Sequence, residues 1–393
     1  MRILFISYYL PPLLYPQSIQ IGRFLNYLKE YPELDITVLT ANENSNVDNE
    51  LYPNIFDGIN VIKVENNFNM YVNYVKNRLL SFIYQRPDSF VSWMNRAFNT
   101  IISKHKRDSF DVILTFSYPL STNILGMKLK DYFNCKWIAH NSDPWIDNPH
   151  AHFKSYMINV NTDLEKKSFE KADKLVFTSI ETCDFYKNKY PDLIKKIDYI
   201  NHSFDRNMFK DNNLVNEKII LRYIGSFYGK RTPKALLEAI KNIDEEYLDR
   251  FCVEFVGGGK KAKIMLSEYK LKNVSVIEPV SYMESLMLMS SADYLLVIDA
   301  PSKNTSIFFP SKLADYIGSC KSILGISPEG TTSRIIKDLG YNCYNTFEIE
   351  GIVKELINIV NSNFSQNNNI NIDKIKKYDI KENIIKLKGI ISE

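Results

Sequence analysis

Charge excess, clustered cysteine and long apolar runs are all missing from this sequence, and each absence removes a class of protein. Lys and Arg number 49 against 46 Asp and Glu, a net of +3. A nucleic-acid binder usually carries a stronger basic excess, so nucleic acid is not expected as a partner. The five cysteines, Cys135, Cys183, Cys252, Cys320 and Cys343, lack the paired spacing of a metal site. Most stand beside apolar residues, which suits free buried thiols in a reducing compartment. No run of about 18 apolar residues occurs, the length that a membrane-spanning helix needs. The opening "MRILFISYYLPPLLYP" has the basic start and apolar run of a signal peptide. Pro11 and Pro12 break it early, however, and no small-residue cleavage site follows. A first buried strand fits better. The expected location is the cytoplasm, with loose attachment to a membrane surface as an option.

What the chain does have is apolar content in short, regularly spaced runs. Hydrophobic residues make up 45% of 393 residues, enough for two domains of about 150–200 residues each. "RILFIS", "DITVLTA", "DVILTFS", "KWIAH" and "KLVFTS" read as buried strands, with helical patterns such as "SIQIGRFLNYLKEY" between them. After a polar stretch, "DRNMFKDNNLVNEK" (205–218), the alternation restarts with "IILRYIGS", "FCVEFVGG", "VSVIEPV", "DYLLVIDA" and "KSILGIS". Short buried strands alternating with helices imply parallel, doubly wound sheets. The expected fold class is therefore α/β with two Rossmann-like halves. Residues 1–203 would form the first domain and 204–372 the second, and a final helical segment, 373–393, follows an Asn-rich stretch. In such sheets ligands bind outside the carboxyl ends of the strands.

Four constellations fall in loops or helices where such a ligand could bind. In "YIGSFYGKRTP" (223–233), Gly225 allows close backbone approach, and Lys230 and Arg231 stand at the start of a helix, which itself favours anions. This suits a diphosphate; a solvated basic turn fits equally well. In "FFPSKLADYIGSCKSILGI" (308–326), Pro310 opens a helix, Ser311 and Lys312 supply a hydroxyl and a cation to its first turn, and Asp315 lies one turn on. A carboxylate there could accept both hydrogens of a ribose diol; an acid on the exposed side of a half-buried helix would look the same. In "WIAHNSDPWIDNPHAH" (137–152), His140, Asp143, Asp147, His150 and His152 crowd one loop. Metal binding is conceivable, but Pro144 and Pro149 bend the loop, and an acceptor-binding loop is the preferred reading. Finally, 70–107 interleaves basic and aromatic residues with one acid, Asp88, and Tyr71, Tyr74, Val75, Leu79 and Phe82 share a helical face. That suits an anionic membrane surface; an aromatic face packed on the chain's own sheet is the preferred reading. No Asp-x-Asp triplet occurs. Many metal-dependent sugar-nucleotide enzymes place one at the diphosphate, so no metal or other cofactor is expected.

The order of these segments resembles the GT-B glycosyltransferases, in particular their large retaining family (family four) and a bacterial polysaccharide branch of it. "MRILFISYYLPP" is similar to the family's opening strand and loop. "RPDSFVSWMNRAF", "FDVILTFSYPLSTNILG" and "WIAHNSDPW" are similar to segments of the bacterial branch. "DYINHSFDRNMF" resembles the entry to the linker, "YIGSFYGKRTPKALLEAI" the diphosphate loop, and "FFPSKLADYIGSCKSIL" the donor helix. The resemblance spans almost the whole chain. It implies two Rossmann-like domains facing across a cleft, with the last helix returning to the first. It implies a nucleotide-sugar donor and a glycan or lipid-linked glycan acceptor. Gly225 and Arg231 would hold the diphosphate with Lys230 beside them, Ser311 and Lys312 would present helix-start donors, and Asp315 would take the ribose. Asp143 would lie on the acceptor side, and Asp143, Lys230 and Arg231 are the candidate catalytic groups.

Three positions depart from the family pattern. Ile307 stands where the first acid of a Glu-x7-Glu motif belongs, Asn201-His202 replaces Asn-Gly, and "LYPQS" replaces a glycine pair. Two other classes stay open: a nucleotide-sugar epimerase of the same fold, and a non-catalytic sugar-nucleotide-binding protein.

Overall fold

The computed structural model describes all residues except Asn44, 67–86, 149–152, Lys154, 211–215, 303–304 and 363–371. The face Tyr71–Phe82 and the pair His150 and His152 therefore lie outside the described residues.

The chain divides into two compact units. One comprises Met1–Asn201 with Asn383–Glu393, the other His202–Glu382. The sequence places the boundary at 203/204 and has the final helical segment, 373–393, return to the first domain. In the structure the last helix spans Ile380–Ser392, and the first unit takes the chain from Asn383 onward. There Lys388 pairs with Glu33 at 2.7 Å and Lys386 with Asp198 at 3.0 Å, while Ile384, Leu387, Ile390 and Ile391 are buried.

The first unit holds a seven-stranded sheet of β1 (Arg2–Ser7), β2 (Asp35–Asn42), β3 (Asn60–Glu65), β4 (Val112–Ser117), β5 (Lys136–Asn141), β6 (Lys174–Phe177) and β7 (Ile197–Tyr199). Their order is β3-β2-β1-β4-β5-β6-β7, and every pairing is parallel. β1 is central, with Ile3 beside Ile36 on one side and Val112 on the other. Its residues Ile3 to Ser7 are all buried, as expected when helices cover both faces. The covering helix Pro16–Leu28 begins with proline, whose fixed φ suits a first turn. It buries Ile21, Phe24, Leu25 and Leu28, a spacing that lines one helical face. The helix Val91–Lys104 likewise buries Trp93, Met94, Ala97 and Ile101 in the core of this unit. For this part of 70–107, packing on the chain's own sheet is what the aromatic side chain does.

The second unit repeats the scheme with β8 (Ile219–Ile224), β9 (Phe251–Val256), β10 (Val274–Ile277), β11 (Tyr294–Ile298), β12 (Ser322–Ile326) and β13 (Cys343–Tyr344). The order is β10-β9-β8-β11-β12-β13, again all parallel. Leu221, Tyr223, Leu237, Phe251, Leu296 and Leu324 form its core. Chain order reverses between β8 and β11, the switch point at which parallel sheets open a crevice. All five cysteines are free, but only Cys183 is fully buried; the others are half-buried. No helix among the described residues is long and apolar enough to cross a membrane.

Candidate functional site

The switch point of the second unit collects most of the candidate residues. β8 ends at Ile224, and Gly225 follows with φ +124°, a conformation that L side chains rarely adopt. A Cβ on Gly225 would lie 2.8 Å from Lys312 Nζ. Glycine is required here for two reasons: the backbone turn, and room for a lysine arriving from another loop.

Lys312 sits in the first turn of the helix Ser311–Gly318, which connects β11 to β12. Its Nζ lies 4.0 Å from the centroid of the Tyr223 ring, a cation–π contact. Burial pushes the Lys312 ammonium well below the usual lysine pKa. Arg231 adds to that effect and Asp299 opposes it.

Arg231 is 9% exposed, and a charge so buried needs a partner. Asp299, directly after β11, is that partner: Arg231 Nη2 donates to its Oδ1 at 2.8 Å, and Ser327 Oγ, directly after β12, donates to Oδ2 at 3.0 Å. Burial works against the Arg231 charge, and the Asp299 carboxylate more than offsets it, so the guanidinium stays charged. The backbone carrying it is held by Lys261, whose Nζ donates to Gly229 O at 2.9 Å and to Arg231 O at 2.8 Å. The Arg231 Nε–H is buried without a hydrogen-bond partner among the described residues. A buried unpaired donor costs about 1–3 kcal/mol, more when charged, and marks the place where a ligand oxygen would be welcome.

Asp315 lies one turn beyond Lys312 on the same helix. It is buried, not on the exposed face that the local sequence allowed. Tyr282 donates to its Oδ1 at 3.2 Å. Tyr316, next along the helix, reaches back so that its hydroxyl accepts the Ile224 N–H at 2.8 Å. This fixes the helix start against the end of β8.

The structure therefore brings Gly225, Arg231 and Lys312 around Tyr223, with Ser311 and Asp315 on the same short helix. Lys230 is exposed and takes no part in these contacts. Sequence reading passed over Asp299, Tyr223, Tyr282, Ser327 and Lys261. Asp299 had a legible signal, an acid at the end of the apolar run "YLLVI", where a charge without a partner would be costly. The others required knowing which loops meet.

In the first unit, Asp143 follows β5. Although the residue is exposed, the protein packed around its carboxyl raises it to about 6 by burial. Its loop is pinned from behind. Trp145 Nε1 donates to Asn161 Oδ1 at 2.8 Å, and the Trp145 and Ile146 N–H groups donate to Tyr186 Oη at 2.9 Å and Glu165 Oε2 at 3.2 Å. Lys189 bridges Glu165 at 2.6 Å and Asp147 at 2.5 Å. Asp147 is thus an ion-pair partner of Lys189. His140 is buried at the end of β5, and burial lowers its pKa to about 4. Among the described residues no three of His, Cys, Asp and Glu converge as metal ligands.

Solved structures share this fold along the whole chain. A sucrose-phosphate synthase from Thermosynechococcus elongatus matches over 100% of this chain and 98% of its own, with a TM-score of 0.71 and 14% identity. HepE from Anabaena, solved with UDP and glucose, matches over 100% and 99% with a TM-score of 0.68 and 12% identity. The chain has the GT-B fold. A UDP-N-acetylglucosamine 2-epimerase shares it as well, covering 98% of this chain and 94% of its own at a TM-score of 0.60 and 13% identity. No protein-family model and no curated protein sequence matches the chain.

Proposed function

We propose that this chain is a retaining glycosyltransferase that takes a nucleotide sugar in its second unit and transfers the sugar to a glycan or lipid-linked glycan, in the manner of bacterial surface-polysaccharide synthesis. The observation that carries the donor reading is the Arg231–Lys312–Gly225 group at the switch point, with a buried guanidinium N–H that finds no acceptor among the described residues. A diphosphate supplies the oxygens this group lacks. It also supplies negative charge beside Lys312, which stabilises the ammonium that burial disfavours. When the sugar leaves, charge grows on the diphosphate. Arg231, already oriented by Asp299 and Ser327, needs no reorganisation to meet it, and such preorganised donors are worth about 2.7–4 kcal/mol apiece in other enzymes. Asp315 is the group suited to the ribose hydroxyls and Asp143 the group suited to the acceptor side. Metal independence belongs to this reading because cations already stand where the diphosphate would lie.

The fold shared with an epimerase supports a second reading, in which the donor is converted with no acceptor present. The test is a panel of nucleotide sugars, each incubated with and without bacterial membrane extract, in buffer containing excess chelator. Transfer that needs extract and survives chelator supports the proposal. Conversion of the donor alone favours the epimerase. Activity lost with chelator and restored by Mg²⁺ or Mn²⁺ overturns the metal-free mechanism.

A further inference from the structure

The carboxyl end of the first unit's sheet carries a group of aromatic rings that the donor site does not use. Its two central strands both run into tyrosine: β1 leads to Ser7-Tyr8-Tyr9 and β4 to Ser117-Tyr118. Tyr15 precedes the helix Pro16–Leu28, and Phe90 precedes the helix Val91–Lys104. Four segments thus deliver rings to one place. Tyr9 lies 4.6 Å from Tyr15 and 6.5 Å from Phe90, Phe90 lies 6.1 Å from Tyr118 and 4.7 Å from Tyr8, and Tyr8 rests on Trp93 at 5.0 Å, centroid to centroid. Tyr8 and Trp93 are fully buried and form the base. Tyr9, Tyr15 and Phe90 are half-buried, and Tyr118 is 50% exposed.

The polar ends of these rings also gather. Tyr118 stands within the field of Asp88, and Tyr9 within the fields of Tyr118, Tyr15, Glu43 and Asp88. Burial raises both phenols above their ordinary pKa, so they remain hydroxyl donors at neutral pH. Asp88 is fixed by the N–H groups of Phe90 at 2.8 Å and Ser121 at 2.9 Å and by the Ser121 hydroxyl. Gln17 holds the Tyr118 loop by accepting the Tyr118 N–H at 3.1 Å.

We propose that Tyr9, Tyr15, Phe90 and Tyr118 form a shelf that binds one neutral sugar ring of the acceptor, with the hydroxyls of Tyr9, Tyr15 and Tyr118 reading the rim of that ring. The proposal rests on the reading of the chain as a glycosyltransferase for its role, though not for the binding itself. A pyranose presents C–H groups on its face and hydroxyls around its edge. The negative face of an aromatic ring attracts the former, and phenols pair with the latter. A lipid tail would match the rings but would strip water from three phenols with nothing in exchange, at a cost of about 1–3 kcal/mol per unpaired group. A phosphorylated or otherwise anionic ligand would meet the negative field of Asp88, which reaches Tyr9 and Tyr118. A neutral sugar is the chemistry that satisfies both halves of the site.

The experiment is saturation-transfer NMR on the full chain with methyl α-D-glucopyranoside, methyl β-D-galactopyranoside and methyl N-acetyl-β-D-glucosaminide, with octanol as the lipid probe. Irradiating the aromatic protons should saturate ring C–H protons of at least one saccharide. Tyr118→Ala should weaken that saccharide by about 2- to 12-fold, the range for one aromatic contact, Tyr118→Phe, which keeps the ring and loses one rim hydroxyl, should weaken it less than Tyr118→Ala, and nucleoside diphosphate affinity should stay unchanged in both. If Tyr118→Ala does not fold, as judged by circular dichroism, Tyr118→Leu keeps bulk without the ring and carries the same test. Failure of every saccharide to bind, preference for octanol, or equal saccharide binding in parent and ring-less variant each overturns the shelf. Saccharide binding that persists in a chain binding no nucleoside diphosphate would support the shelf and count against the donor site.

Discussion

Gly225→Ala tests the donor site at its tightest point. The added Cβ would meet Lys312 Nζ at 2.8 Å and Cε at 3.4 Å, where comfortable contact needs about 3.5–4.0 Å. Nζ is the far end of a flexible chain, so it yields by roughly 1 Å instead of breaking the fold. In yielding it leaves the Tyr223 ring, now 4.0 Å away, and the place where a phosphate oxygen would sit. Loss of one charged hydrogen bond costs about 1.5–3 kcal/mol, or about 10- to 150-fold in affinity. Separately, φ at +124° strains an L residue by about 1–3 kcal/mol, which lowers the melting temperature whether or not ligand is present. The two effects come apart with Gly229→Ala, at φ +57° and with nothing within 4 Å of its Cβ: strain without displacement of Lys312. Isothermal titration with UDP, GDP, ADP and dTDP, alongside melting curves, should show weakened binding in Gly225→Ala and near-parental binding in Gly229→Ala. In a Lys312→Met background the Gly225→Ala change should add little, since its target is gone. A folded Gly225→Ala protein that binds its preferred nucleoside diphosphate as tightly as the parent would refute the assignment of Lys312 to the site.

Two further outcomes are expected. Asp315→Asn should weaken ribonucleotide binding and leave the fold intact; the parent should prefer a ribo over a 2′-deoxy nucleotide by about 1–3 kcal/mol, and the variant should lose much of that preference, so equal discrimination by both would remove Asp315 from the ribose role. Asp143 carries a raised carboxyl pKa near 6, so the folded state holds its proton more tightly than the unfolded chain. Its contribution is fully present below the unfolded value near 4 and is lost as pH rises through about 6. Melting curves of parent and Asp143→Asn should therefore show the parent losing ground to the variant between pH 4 and 6.5, and parallel pH profiles would contradict the shift.

Most of the scaffold is legible in the linear order of residues, because strands buried on both faces must be apolar along their length. β1, β2, β4, β5 and β6 all stand out in this way, as do β8 to β12. Of the four edge strands, β3, β7 and β13 are shorter or half-exposed, so their composition carries no such constraint and nothing in the linear order marks them; β10, also an edge, stands out only by its β-branched run. The helix start Pro310-Ser311-Lys312 was legible too, because proline at that place has a local reason that needs no tertiary contact.

Local pattern could place Gly225, Arg231, Lys312 and Asp315 on loops and helix starts after strands, but not beside one another. The sequence separations are long, and only the parallel order β10-β9-β8-β11-β12-β13 makes neighbours of the ends of β8, β11 and β12. That adjacency pairs Arg231 with Asp299 and Ser327, brings Lys312 over Gly225, and buries Asp315 on a face that looked open. In the first unit, the adjacency of β1 and β4 likewise sets Tyr9, Tyr15, Phe90 and Tyr118 together from segments that share no local motif. Sequence by itself determined the two α/β halves, since burial of each strand and helix face is a local property of composition and period. Tertiary structure alone decided which charges are paired, which donor is left over, and which rings share a surface, because those depend on contacts that close only when the sheets assemble.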